Sequence, residues 1–514
     1  MTTTPEQHTA PVGTLEHLDP QTVTLEDNVR DAAALDADFL ASITEHGVLQ
    51  PVTAVRTGEE VRIRDGQRRT LAARQAGLPT IPVYVLDAPD GAAERIAHQI
   101  VTNDQRTALT DAQRVRGIQQ MLDAGLSATK VAQKLSVPRD TVKAAARAAA
   151  SATALDALDT GQLSLTEAAA LTEFDGDTEA VAALIAAAGG PQFAHRFAQL
   201  RQDRLAEAAR AEVAADYTRR GFTILTERPG WRDTGAVALA YLRTPDGARV
   251  DEEAVTDPAH WAVLLVEDSV YVDTTTGEPV DAREVDWATE RDPDRTPDEG
   301  RRHATTVTET VVWAPEYFCR DPQAAGLTLA DFLQPRPDTP APEDAPSAED
   351  RAETERAQRR QVLALNKLGL AAQEVRRGWV RERLLSRKTP AKGTTVFVAR
   401  CLEQGPGLLT DHNARHLAAD LLGVDDLRAT LTRLTTTGDA RAQVLLLGMA
   451  LAALEGRTPK DAWRHAHSGY APTPGAAEYL RFLAGHGYPL APIEQVVTGE
   501  RTADDVYRDT ETGD

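Results

Sequence analysis

Residues 62–85 read RIRDGQRRTLAARQAGLPTIPVYV. They give a short strand, a glycine, a helix that stops at Gly77 and a second strand. A strand turning into a helix at a glycine and returning to a strand commits this part of the chain to mixed α/β structure. The flanks agree. Phe39, Leu40 and Ile43 fall on one face of a helix ending at Gly47, and LQPVTAVR and EEVRIRD read as strands joined at Thr57-Gly58. Arg68 and Arg69 open the central helix, where backbone N–H groups favour an anion and paired guanidinium groups suit phosphate oxygens.

The chain has 514 residues, too many for one core, so several domains are expected. Its formal net charge is −22, which argues against unspecific nucleic-acid binding by the chain as a whole. The positive charge is local: residues 101–150 carry eight basic residues against four acidic ones, whereas residues 1–50 have one basic residue and nine carboxylates. With two cysteines, Cys319 and Cys401, no disulfide scaffold or cysteine zinc site is expected. The N-terminus lacks a signal-peptide pattern, and no apolar run reaches the ~20 residues that span a bilayer. A soluble cytoplasmic protein with no membrane partner is the expectation.

The basic segment contains LSATKVAQKLSVPRDTVKAAAR. Ser127 is placed to cap a helix with Val131 and Leu135 inward and Ala132 at a close crossing. Ser136-Val137 makes the turn, Pro138 suits the first position of the next helix, and Val142 packs inward. This is a helix-turn-helix pattern, whose second helix enters the major groove. Lys130, Arg139, Asp140, Thr141, Lys143 and Arg147 are the DNA-contact candidates. Arg139 and Lys143 suit phosphates or guanine edges, and Thr141 a base or a phosphate. Asp140 fits either cytosine recognition or a charge at a helix N-terminus.

Four motifs, in order, resemble the ParB family: Ser42-Ile43 followed by Gly47-Val48-Leu49-Gln50-Pro51; Gly66-Gln67-Arg68-Arg69 with Ala72; Thr102-Asn103-Asp104-Gln105-Arg106; and the helix-turn-helix. The resemblance spans residues 15–175. It implies a dimer that loads on a palindromic site in double-stranded DNA and binds CTP with Mg2+, closing into a sliding clamp. By that resemblance Gly66, Gln67, Arg68 and Arg69 line the triphosphate site, Asn103 and Arg106 complete it, Gly47 and Gln50 form its wall, and Asn103 is the metal-side residue. The implied location is cytoplasmic, on the nucleoid or a plasmid, and the implied role is chromosome partition or plasmid segregation. A transcriptional regulator using the helix-turn-helix, or a nuclease or kinase on the same fold, is the alternative.

The pattern departs from the family at two carboxylates, replaced by Gln67 and Thr102. Neither replacement neutralises metal charge or acts as a general base at neutral pH. CTP binding with weak or absent hydrolysis is therefore expected, and no catalytic residue is assigned. No Lys or Arg precedes Arg30, so these residues do not themselves support a ParA-type ATPase partner. The region after residue 220 is also larger than the family's usual dimerisation domain, which suggests an elaborated member of a plasmid or mobile-element type.

The expected fold class is multidomain α+β. Residues 1–14 are read as a flexible tail, 15–102 as a small α/β ParB/sulfiredoxin-like nucleotide-binding domain and 103–220 as the helix-turn-helix and helical domain. Residues 221–333 are read as a β-rich module, 334–351 as a Pro-rich acidic linker and 352–514 as a helical C-terminal region. In that last region Arg376, Arg377, Arg381, Arg383, Arg387, Lys388 and Lys392 leave two readings open, a second DNA-contacting surface or a solvated helix face. His412 with His416 is read as a polar face, because Asn413 stands where a metalloprotease helix has Glu, and His465 with His467 likewise, because no third ligand is evident.

Overall fold

A computed structural model describes the chain except residues 1–12, 26–34, 36, 87–109, 231–234, 292–294, 331–347, 411–413, 435–437, 466–471 and 513–514. It divides into two compact units, Met1–Arg196 and Phe197–Asp514. The division falls inside one long helix, Phe193–Arg219. Residues 197–219 therefore belong to the second unit, although the sequence reading joined them to the helix-turn-helix domain. A continuous helical pattern carries no sign of the core its faces will join.

The first unit begins with β1 (Gly13–Leu18), β2 (Thr24–Leu25), α1 (Ala37–His46), β3 (Val52–Thr57), β4 (Glu60–Asp65), α2 (Gln67–Gln75) and β5 (Ile81–Leu86). The sheet order is β1-β5-β3-β4-β2. β3 and β4 form an antiparallel hairpin, and α2 carries the chain across to β5, which runs parallel to β3. Val52, Ala54, Ile63, Ile81 and Val83 are fully buried beneath Ala72 and Ala73 of α2 and Ile43 of α1. Alanines on α2 let the helix lie close to the sheet. β1 starts at Gly13, inside the stretch read as a tail, because Gly13 and Thr14 pair with Leu86 and Val85 through their backbones, whatever their side chains.

The same unit continues with α3 (Asp111–Asp123), α4 (Ala128–Leu135), α5 (Arg139–Ala149) and the short helices α6 (Ala152–Asp159), α7 (Leu165–Leu171) and α8 (Thr178–Ala186). α9 is the helix Phe193–Arg219.

In the second unit come β6 (Thr223–Leu225), β7 (Val237–Ala238), β8 (Leu242–Arg243), β9 (Trp261–Asp273), β10 (Pro279–Val280), β11 (Val285–Asp286), α10 (Ala288–Arg291), β12 (Arg302–His303), β13 (Val307–Cys319) and β14 (Thr328–Leu329). The long β9 and β13 pair antiparallel along their whole length, from Val307 opposite Asp273 to Cys319 opposite Trp261. Trp313 donates through Nε1 to the Ala206 carbonyl of α9 at 3.0 Å, so the long helix packs on this sheet. Helix α11 (Ala348–Trp379) runs on without a break into a π-helical turn, Val380–Leu385. The helices after it form the largest core of the unit around Leu447, Leu451, Tyr479 and Leu480. Among the described residues no helix is long and apolar enough to cross a membrane.

Candidate functional site

The glycine between β4 and α2 is structurally required. Gly66 has φ +92°, a left-handed conformation, and a Cβ there would sit 2.6 Å from Val52 Cγ1 and 3.1 Å from Arg69 Nη2. It is the N-cap of α2 and offers no capping side chain. The first N–H groups of a helix have no acceptor within the helix, so this loop forms a cradle of backbone donors at the positive end of a dipole. That arrangement fits an anion such as a phosphate.

The two arginines behind Gly66 differ in their surroundings. Arg69 is largely covered, with its side chain 15% exposed. Its Nη1 donates to the Gln50 carbonyl at 2.6 Å and the Pro51 carbonyl at 2.9 Å, and its Nη2 lies 3.7 Å from Asp65. Arg69 thus ties the Gln50-Pro51 turn to the start of α2, a positioning contact the sequence motif did not reveal. Arg68 is exposed and lies over the Phe39 ring of α1, 5.0 Å from its centroid. Gln67 and Gly47 are half-buried, and Gln50 is exposed beside the same loop. Gly47 has φ +69° and closes α1 by donating to the Ile43 carbonyl at 3.0 Å.

One residue at the site was missed by the sequence reading. Arg64 is 7% exposed near the end of β4, next to the fully buried Ile63. Two successive buried residues show that both faces of the sheet are covered there, and strict alternation does not anticipate this. Thr102, Asn103, Asp104, Gln105 and Arg106 lie outside the described residues.

The segment with the helix-turn-helix pattern folds as α4 and α5, with α5 packed against α3 as well. Ser127 caps α4 by accepting from the Lys130 N–H. Val131, Val142, Ala145 and Ala148 are fully buried, as are Val115, Ile118 and Met121 of α3, the helix against which α5 packs. Ser136 takes the left-handed conformation at φ 54°, and the Val137 N–H reaches the Ala132 carbonyl at 3.1 Å. Pro138 stands at the N-cap, one place before the expected first helical position.

Arg139, Lys143 and Arg147 are exposed at intervals of four, one stripe along α5, and Lys130 is exposed on α4. Thr141 is half-buried, so the outward placement expected for it holds only in part. Asp140 sits in the first turn of α5 and pairs with Lys143 at 3.2 Å.

The second basic segment is not one surface. Arg376 is 2% exposed and bridges two carboxylates, with Nε and Nη2 on Glu455 at 2.7 and 2.9 Å and Nη1 on Glu494 at 2.6 Å. Arg377 is half-buried and also bonds Glu455, at 2.9 Å. Burial works against the ionised Glu455 carboxyl, but Arg376 and Arg377 overcome it and hold the group below the usual carboxylate range. Arg376 lies one helical turn from both Ala372 and Val380, which are buried, so it belongs to the inward stripe. Arg376 and Arg377 are therefore structural ion-pair partners and not DNA contacts.

Among the described residues no group of three or more His, Cys, Asp or Glu could hold a metal ion. His412 and His467 lie outside the described residues. Cys319 and Cys401 are buried, and burial raises both thiols.

The family description "ParB N-terminal domain" matches residues 5–103. This part of the chain is thus similar to the ParB N-terminal domain. Among curated proteins, the probable chromosome 1-partitioning protein ParB of Deinococcus radiodurans is 39% identical over 143 residues, covering 27% of this chain and 49% of its own. The chromosome-partitioning protein Spo0J of Thermus thermophilus is 37% identical over 131 residues, covering 25% and 48%. The chain thus spans about half the length of the curated relatives it matches. A crystal structure of C-terminally truncated ParB from Caulobacter crescentus complexed to the centromeric parS site covers 33% of this chain and 91% of that one. Its identity is 21% and its TM-score 0.26, a superposition too loose to carry an argument.

Proposed function

We propose that the chain is a sequence-specific DNA-binding partition protein of the ParB type. In this reading CTP with Mg2+, held at the β4–α2 loop, governs how a homodimer grips a palindromic duplex. The observation that carries it is the pairing, in one unit, of a glycine-cradled helix N-terminus flanked by Arg68 with a helix-turn-helix whose second helix bears an exposed basic stripe. The first is suited to a triphosphate and the second to duplex phosphates and guanine edges.

The roles divide accordingly. The α2 N–H groups and Arg68 meet the phosphates, while Gly47, Gln50 and Gln67 shape the wall and Arg69 holds it in place. Asn103 and Arg106 close the site, with Asn103 on the metal side. Arg139, Lys143, Arg147 and Lys130 contact DNA, with Thr141 and Asp140 at the start of the reading helix. With Gln67 and Thr102 in place of carboxylates, the nucleotide acts as a conformational ligand with slow or no turnover. Residence on nucleoid or plasmid DNA accords with this reading, and a ParA-type ATPase is the partner whose gene beside this one would support partition.

The test is CTP titration of the full chain, with and without a duplex selected from random palindromes. Arg68→Ala is the informative variant, because Arg69→Ala would also release the Gln50-Pro51 turn. Removing a charge-assisted contact worth about 1.5–3 kcal/mol raises the CTP dissociation constant about ten- to a hundredfold. No affinity for any ribonucleoside triphosphate, even with the selected duplex present, would overturn the nucleotide reading and leave a plain DNA reader.

A further inference from the structure

The second unit contains a cleft of about 760 Å³ lined by β13, the segment around β7 and the first turns of α11. Its volume is that of a small-molecule site. The family match ends at residue 103 and does not reach it.

The floor is apolar and aromatic, formed by Pro229, Ala238, Leu239, Pro315, Tyr317 and Phe318. The charged lining consists of three glutamates and two arginines, a net charge of −1 (2 − 3). Both arginines are already engaged. Arg228 pairs with Glu316, and Arg356 pairs with Glu353 at 3.0 Å and bonds the Tyr241 side chain. Glu252 remains. It is exposed at the rim, and its carboxylate has no ion pair or hydrogen bond among the described residues. Its electrostatic neighbour is Tyr317, whose hydroxyl lies 3.3 Å from that of Tyr217.

The aromatic cluster around Tyr317 already takes cations on its faces. Arg220 lies 4.7 Å from the Tyr217 centroid and 5.3 Å from that of Phe222, and Arg228 lies 5.8 Å from that of Phe318. Tyr217 and Phe222 pack against Tyr317 at centroid distances of 6.4 and 6.0 Å. A ring face is attractive to a cation, more so where water is displaced.

We propose that this cleft binds an organic cation, a primary amine or guanidinium on a flat apolar body. The body rests on Pro315 and Tyr317 and the cation faces Glu252. An anion would meet the surplus carboxylate and find both arginines occupied. A neutral molecule of the same shape would gain the apolar contact alone. The cation has two conceivable sources, a free amine or an arginine side chain of a peptide, and the chemistry of recognition is the same.

Calorimetric titration of the full chain tests this with four probes: tyramine, 4-methylphenol, 4-hydroxyphenylacetate and a hexapeptide of alanines around one arginine. Tyramine or the peptide is expected to bind at least tenfold more tightly than 4-methylphenol, with no binding of the carboxylate. Which of the two cations binds better identifies the source. Glu252→Gln should abolish the tenfold preference. Ala240→Trp, at an exposed position of the lining, should occlude the cleft and remove all binding, and circular dichroism checks that both variants remain folded. Equal binding of charged and neutral probes, no binding of either cation, or a preference that survives Glu252→Gln overturns the proposal.

Discussion

Gly66→Ala tests whether the turn into α2 is built as described. The substitution meets two separate penalties. A non-glycine residue at φ +92° costs about 1–2 kcal/mol for the left-handed backbone alone. The added methyl also sits 2.6 Å from Val52 Cγ1, at a strand residue with no exposed surface, and overpacking of that kind costs about 1–3 kcal/mol. The sum is about 2–5 kcal/mol, a large share of a domain's stability. All tryptophans lie after residue 230, so fluorescence would report the wrong unit. Native-state hydrogen exchange on peptides from β3 and β4 is the suitable assay, where each 1.4 kcal/mol appears as tenfold faster exchange. Gly66→Ala should therefore accelerate exchange by about thirtyfold or more. In a Val52→Ala background, which removes the clashing methyl, the same change should add only the conformational part, about five- to thirtyfold. Gly47→Ala, at φ +69° with nothing within 4 Å of the added methyl, should match that smaller value. Equal cost of Gly66→Ala in both backgrounds would refute the close approach of the loop to β3.

Three further outcomes are expected. Arg376→Ala should destabilise the C-terminal helices by about 3–5 kcal/mol, since it leaves the buried Glu494 carboxylate without its ion-pair partner and Glu455 with Arg377 alone. Arg381→Ala, which breaks an exposed pair with Asp420 at 3.2 Å, should cost under about 1 kcal/mol. Urea unfolding monitored by the fluorescence of Trp379 and Trp463 compares the two. Because Glu455 is held below the usual carboxylate range, its contribution is present above the unfolded value and is lost as pH falls through the folded one. The urea midpoint of the C-terminal helices should thus drop below about pH 4, and less so in Glu455→Gln. Lys143→Ala should weaken DNA binding across sequences and lower the slope of log affinity against log salt by about 1, measured by fluorescence anisotropy at several salt concentrations. An unchanged slope would take Lys143 off the duplex.

Much of the first unit was legible because its signals are local. The β3–β4 hairpin turns at Gly58, α2 starts after Gly66, and α4 and α5 are separated by Ser136-Val137, each within one or two residues of the position the sequence suggests. The exposed stripe of Arg139, Lys143 and Arg147 was legible for the same reason, since helical spacing alone sets it. Arg64 was not, because only the covering of both faces of β4 makes its position inward.

Two Arg-Arg pairs show where reading the sequence stops working. Arg68-Arg69 and Arg376-Arg377 both look like free positive charge on a helix, and in each pair one guanidinium is turned to internal use. Arg69 is claimed by carbonyls from residues 50 and 51, and Arg376 by glutamates 79 and 118 positions away. No local pattern announces partners that distant. The inward direction of Arg376 did leave a trace, because Leu365, Ala372 and Val380, all buried, fall on its helical stripe. An arginine on an apolar stripe is a request for a buried acid, and Glu455 and Glu494, on helices rich in buried leucine and valine, make the matching request. Had the three been read as one unpaired set of buried charges, the cluster could have been inferred. For Arg69 there is no equivalent trace, since its neighbour Arg68 faces solvent from the same helical turn. The choice between phosphate binder and loop anchor is there made only by the approach of the Gln50-Pro51 turn.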